Sequence, residues 1–212
     1  PAAGFHTSKT LHSMGSGTGI ASGFGKLGPF GMEQPVLAVC GDSTFYHAAI
    51  PALINAVHQR ADITFIALDN SGTAMTGFQP HPGIDVNAMG EKTPMVDIAA
   101  LCRATGAPVV TCDPFDLTKT RETLNRLLEE RGVKVLILKQ SCALSPEKKG
   151  KKQFHVRVDE ALCRGDACGC NRLCTRIFRC PGLLWNRERK KAEIDEVICA
   201  GCGFCAAICP AE

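Results

Sequence analysis

Several things are lacking in this chain. No uninterrupted apolar run approaches the roughly 20 residues that a membrane-spanning helix needs, so no membrane partner is expected. No basic segment followed by an apolar stretch opens the sequence, so no secretory leader is read. Charge of one sign is not in excess: 24 Lys and Arg stand against 21 Asp and Glu, a net +3. That is too little to argue for nucleic acid. No repeat spans the whole chain. A secreted disulfide framework would need an even cysteine count and a leader; the count is thirteen. What is present is ordinary for a folded protein, 45% apolar and 21% charged residues over 212 positions. This excludes wholesale disorder and suits one or two domains. The sequence opens at Pro1 rather than Met and closes at Glu212, so it reads as a piece of a longer polypeptide.

The thirteen cysteines are unevenly placed. Cys40, Cys102, Cys112 and Cys142 are scattered in apolar or strand-like surroundings and read as small core residues. The other nine crowd the last fifty residues. Such density reads as metal or cluster ligation in a reducing compartment, the cytoplasm. Cys199-x2-Cys202-x2-Cys205-x3-Cys209-Pro210 matches the bacterial ferredoxin run, in which three close thiolates wrap one [4Fe–4S] cubane and the fourth ligates another. Zinc would need only four ligands, usually in two pairs. The preceding set is irregular: Cys163, Cys168, Cys170, Cys174 and Cys180-Pro181 offer five thiols. Cys174, Cys180 and Cys170 are the readiest ligands. The remaining place falls to Cys163 or Cys168. Cys163 follows Val158-Asp159 much as Cys199 follows Ile194-Asp195, whereas Cys168 lies closer. If the ligands cross, Cys199, Cys202, Cys205 and Cys180 hold one cubane. Cys170, Cys174, Cys209 and one of that pair hold the other.

Before residue 146 the pattern is different. Continuous apolar runs at 36–40, 63–68, 108–112 and 133–138 alternate with helical stretches at 48–59, 94–104 and 116–131. Largely apolar strands separated by amphipathic helices predict a parallel sheet buried on both faces, an α/β doubly wound layout. Residues 1–145 are expected to form this domain. Residues 146–152 (PEKKGKK) read as a solvated linker, and 153–212 as a small α+β domain with two clusters.

Gly41-Asp42-Ser43 follows the first apolar run and precedes a helix; Asn70 follows the second run. Both positions fall at carboxyl ends of parallel strands, where open α/β sheets bind ligands. Oxygen ligands there suit Mg²⁺, which keeps phosphate oxygens as co-ligands. Gly-Asp-Ser followed at this distance by Asn resembles the thiamine diphosphate motif. A formal G-x-G-x-x-G at 23–28 precedes a strand instead of following one, so a dinucleotide site is not expected.

Longer stretches sharpen this. Leu68–Gly83 (LDNSGTAMTGFQPHPG), Gly41–His47 (GDSTFYH) and Ile50–Val57 resemble the indolepyruvate:ferredoxin oxidoreductase alpha subunit, of the 2-oxoacid:ferredoxin oxidoreductase family. The paired cysteine motif is what that subunit carries at its C-terminus. The resemblance implies that Asp42, Asn70 and the Gly72 carbonyl hold Mg²⁺. It also implies that Thr76 faces the diphosphate, and that Gly15, in the stretch Ser13–Gly19, begins a helix whose N-terminal amides approach the cofactor. His47, just past the motif, is the candidate catalytic group. His81, His6 and His12 are weaker candidates, and His58 and His155 read as surface residues. The implied reaction is oxidative decarboxylation of an aryl 2-oxo acid (indolepyruvate-like) to the acyl-CoA, of the EC 1.2.7.8 kind, with electrons passing through the clusters to ferredoxin. The implied partners are coenzyme A, ferredoxin, a smaller beta subunit and an N-terminal pyrimidine-binding domain outside this sequence. The rival reading is an iron–sulfur electron-transfer module on a thiamine-fold scaffold without catalysis of its own.

Overall fold

The computed structural model describes residues 12–145, 151–168, 174–175 and 179–209. They belong to two compact units divided between Cys142 and Ala143. Cys170, His6 and most of the expected linker lie outside the described residues.

The first unit is built on four strands: β1 (Leu37–Gly41), β2 (Ile63–Asp69), β3 (Val109–Cys112) and β4 (Val133–Lys139). All neighbours are parallel, in the order β1-β2-β4-β3. The apolar runs predict this arrangement, because a strand with helices on both faces has no solvent side to keep polar. One face of the sheet packs Phe65, Val135 and Ile137 against Ala21, Leu53, Ile98 and Cys102. These come from α1 (Ser16–Phe24), α3 (Ile50–His58) and α4 (Ile98–Ala104). The other face packs Ile66, Cys112 and Leu136 against Leu124 and Leu127 of α5 (Leu117–Glu129). Full burial of one such side chain contributes about 1.5–3 kcal/mol.

Helix starts are set by side chains. Asp97 Oδ1 accepts the Ala100 N–H at 2.6 Å and Asp116 Oδ1 accepts the Lys119 N–H at 3.0 Å, each satisfying an otherwise orphaned donor. For this reason α4 begins at Ile98, later than the predicted 94. The predicted helix at 48–59 instead starts directly behind β1. It runs through α2 (Asp42–Thr44) and a π-helical turn (Phe45–Ala49) into α3. Pro51 has no N–H for the carbonyl four residues earlier, and the widened turn lies just ahead of it.

The second unit contains an antiparallel hairpin of β5 (Leu183–Asn186) and β6 (Lys191–Ile194), and α6 (Phe204–Ala207). Among the described residues no helix is long and apolar enough to cross a membrane.

Candidate functional site

The carboxyl ends of β1 and β2 bring Asp42, Asn70 and Gly72 together. Asp42 is 2% exposed. An isolated carboxylate so buried costs several kcal/mol, and here it is surrounded by donors. Its Oδ1 accepts the Ser43 N–H at 2.7 Å. Its Oδ2 accepts the N–H groups of Asn70 at 3.0 Å and Gly72 at 3.3 Å. The loop after β2 is thereby tied to the turn after β1. Asn70 Oδ1 is a buried acceptor with no hydrogen-bond partner among the described residues. A buried anion beside an unpaired amide oxygen is a donor set for a hard divalent cation, and Mg²⁺ fits it. The Gly72 carbonyl already accepts the Ala74 N–H at 2.8 Å and keeps a second lone pair.

The other predicted residues are placed less uniformly. Gly41 and Ser43 flank Asp42 at the strand–helix junction. Gly15 caps α1 at φ +87°, and a Cβ there would stand 2.4 Å from Ala48 Cβ. Its lack of a side chain lets the start of α1 approach the π-helical turn. Thr76 is exposed, and its hydroxyl donates to Gln79 Oε1 at 2.6 Å while Gln79 Nε2 returns a bond to the Thr76 carbonyl. His47 lies exposed on the π-helical turn, as do His12, His58 and His155 elsewhere. His81 turns inward: it is 6% exposed, with Nε2 3.1 Å from Asp42 Oδ2.

Tyr46 was not singled out in the sequence. Its ring lies 5.4 Å from that of His81, and its hydroxyl donates to the Val96 carbonyl. Burial, then the charges of Asp69, Asp97 and Asp42, push its pKa up and keep it a donor. The signal was only a polar aromatic four residues past Asp42. Cys40, ending β1, has its pKa pushed up to about 12 by burial, then by Cys102 and Asp42. It stays a thiol, consistent with a packing role.

In the second unit two turns have the same hydrogen bonds. Asp159 Oδ1 accepts the N–H groups of Ala161 and Leu162, and its carbonyl accepts that of Cys163. Asp195 Oδ1 accepts those of Val197 and Ile198, and its carbonyl that of Cys199. Cys163 therefore leaves its turn as Cys199 leaves its own. The Gly182 backbone runs against Cys199, since a Cβ on Gly182 would meet Cys199 Cα at 2.8 Å. Cys180, two residues earlier, lies near enough to Cys205 to act on it. Burial, then the neighbouring Cys202, Cys180 and Cys199 thiols, raise the pKa of Cys205 against the opposing Ala206 N–H. The Gly201 N–H donates to Cys199 Sγ at 3.4 Å. Cys163, Cys168 and Cys174 are half-buried and Cys209 is exposed. No three Cys, His, Asp or Glu side chains among the described residues converge as a preformed metal group.

A parallel α/β sheet whose strand ends hold a buried carboxylate, an unpaired amide oxygen and a glycine-bearing loop has the layout of a ligand-binding α/β domain, with donors of the kind that suit a hard cation. Residues 1–138 match the family described as thiamine pyrophosphate enzyme, C-terminal TPP binding domain, and the chain belongs to that family. It is similar to indolepyruvate oxidoreductase subunit IorA of Thermococcus kodakarensis, with 40% identity over 84% of this chain and 27% of the relative. Similarity to the subunit of the same name from Methanothermobacter marburgensis is 41% identity over 95% of this chain and 31% of the relative. The chain thus spans about a third or less of the length of these curated relatives. Among solved structures, benzoylformate decarboxylase from Polynucleobacter necessarius aligns with a TM-score of 0.46 and 18% identity, covering 60% of this chain and 24% of that one.

Proposed function

We propose that this chain is the diphosphate- and metal-binding part of an oxidoreductase that decarboxylates an aryl 2-oxo acid oxidatively. In this reading the acyl group passes to coenzyme A and the electrons pass through two [4Fe–4S] clusters to ferredoxin. The observation that carries the reading is the buried Asp42 carboxylate facing the loop that presents the unpaired Asn70 Oδ1, in a chain of the thiamine pyrophosphate family. The names of the curated relatives supply the indolepyruvate-like substrate and a partner subunit.

When bound, thiamine diphosphate supplies the nucleophilic carbon and the electron sink for decarboxylation, and the clusters supply one-electron acceptors. Asp42, Asn70 and the Gly72 carbonyl would hold the Mg²⁺. The N-terminus of α1, opened by Gly15, would favour phosphate negative charge, with Thr76 in the facing loop. His47, on the turn beyond Asp42, is the residue of this chain assigned to proton transfer. Cys199, Cys202, Cys205 and Cys180 would hold one cubane, which the nearness of the other three thiols to Cys205 supports. Cys163, Cys170, Cys174 and Cys209 would hold the other, and the repeated Asp-led turn favours Cys163 over Cys168. A reducing, cytoplasmic setting follows from this thiolate chemistry.

The test is an anaerobic assay of the whole assembly with indolepyruvate and other 2-oxo acids, coenzyme A and a viologen dye. Viologen reduction that requires the 2-oxo acid, thiamine diphosphate and coenzyme A is expected. Decarboxylation without dye reduction would refute the oxidative reading.

A further inference from the structure

His81 is a buried histidine whose two ring nitrogens have different neighbours. Its Nδ1 accepts the Gly83 N–H at 3.0 Å. A neutral imidazole that accepts at Nδ1 carries its proton on Nε2. Nε2 is therefore a donor and has no lone pair for a metal. It lies 3.1 Å from Asp42 Oδ2, with the two side chains 1% and 3% exposed. The approach is off the line of a hydrogen bond, and Nε2 makes none to any described residue. Three N–H donors thus crowd Oδ2: those of Asn70, Gly72 and His81. Oδ1 accepts only the Ser43 N–H among the described contacts.

The ring packs against Tyr46 and the Gly83 backbone. Tyr46 lies across it and is anchored on the Val96 carbonyl. Gly83 lies beside both rings, where a Cβ would come within 2.5 Å of the Tyr46 hydroxyl and 3.0 Å of His81 Cε1. A protonated ring nitrogen placed 3.1 Å from one oxygen of a carboxylate biases which oxygen remains for a cation. Such outer contacts orient a ligand and raise metal affinity.

We propose that His81 is a positioning residue for Asp42: its Nε2 edge stands against Oδ2 and leaves Oδ1 as the oxygen offered to the divalent cation. The Pro80-His81-Pro82-Gly83 loop thereby becomes part of the cation site without touching the cation. The proposal rests on the thiamine diphosphate reading of Asp42 and Asn70.

The experiment uses the complete subunit with its partner subunit, stripped of divalent metal and titrated with Mn²⁺ in the presence of thiamine diphosphate, free Mn²⁺ being followed by its paramagnetic resonance. His81→Met fills the space without a donor and should weaken Mn²⁺ binding about tenfold to a hundredfold. His81→Gln restores an N–H donor and should stay within about threefold of wild type, on the same scale. Thermal unfolding of the metal-free proteins should coincide. Wild-type affinity in His81→Met overturns the proposal. So does an equal loss in both variants with unchanged unfolding, which would make shape rather than proton donation the requirement. If His81→Met does not fold, a tenfold loss in His81→Gln is the overturning result. Asp42→Ala, run beside them, separates the two layers: undiminished Mn²⁺ binding there would remove the cation site itself, and His81's role with it.

Discussion

N–H groups from the turn after β1 and the loop after β2 converge on the buried Asp42 side chain. The same donors make it poorly replaceable. Asp42→Ala should abolish thiamine diphosphate binding in calorimetry while the iron content per subunit stays unchanged; undiminished cofactor affinity would refute the assignment. Gly15 is a second single-residue determinant. At φ +87° an alanine is strained, and its methyl would collide with Ala48. Gly15→Ala should cost about 2–4 kcal/mol of stability, from the left-handed backbone and overpacking together. The denaturation midpoint in urea checks this. An unchanged midpoint would mean that α1 shifts freely away from the π-helical turn.

At the scale of elements, the end of the sheet away from the site is tied by Asp62, which precedes β2. Its carboxylate meets Arg131 and Lys134 Nζ, each at 2.9 Å, and the Gly132 N–H at 3.1 Å. Lys134 is 3% exposed and Asp62 about a third exposed. Burial works to raise the Asp62 pKa, but the Lys134 and Arg131 contacts outweigh it and hold the group below its ordinary value. A carboxylate with a depressed folded pKa stabilises above its unfolded value, near 3.9. That contribution is lost as pH falls through the folded value. Asp62→Ala should therefore cost about 2–3 kcal/mol at neutral pH. This is less than the loss of a fully buried partner because Asp62 is partly solvated. The difference from wild type should shrink below about pH 4, as read from denaturation curves across pH; a constant difference would contradict the electrostatic account. The strands themselves were legible in the sequence, since largely apolar runs such as ITFIAL have one reading between helices. So was the pairing of Asp42 with the loop after β2, because both follow strand ends. The π-helical turn was not legible: its register depends on how Pro51 and the packing of Phe45 are reconciled. The inward turn of His81 was also hidden, because it comes from Tyr46 and Val96 meeting across fifty residues.

For the whole molecule, the anaerobically reconstituted protein should carry about eight iron atoms, from two cubanes of four. Cys163→Ser should lose one cluster's iron and Cys168→Ser should keep both. The reverse result would assign the irregular motif the other way. Because the chain spans only about a third of its relatives, it should show no 2-oxo acid-dependent viologen reduction alone. Activity should appear when the remaining parts and the partner subunit are added; full turnover by this chain alone would contradict that division. The sheet order has a further consequence during synthesis. β4 is the last of the four strands to be made, yet it stands between β2 and β3. While the chain is still emerging, β1 and β2 can already pair, and with them the turn of Asp42 and the loop of Asn70. β3 has no neighbour in the sheet until residues 133–139 exist. During that interval β2 keeps an open edge and Leu136's place beside Ile66 is empty, which exposes a strand edge to other chains. The half of the domain that carries the chemistry is thus available to assemble first, and the half that seals it closes over it in one late step.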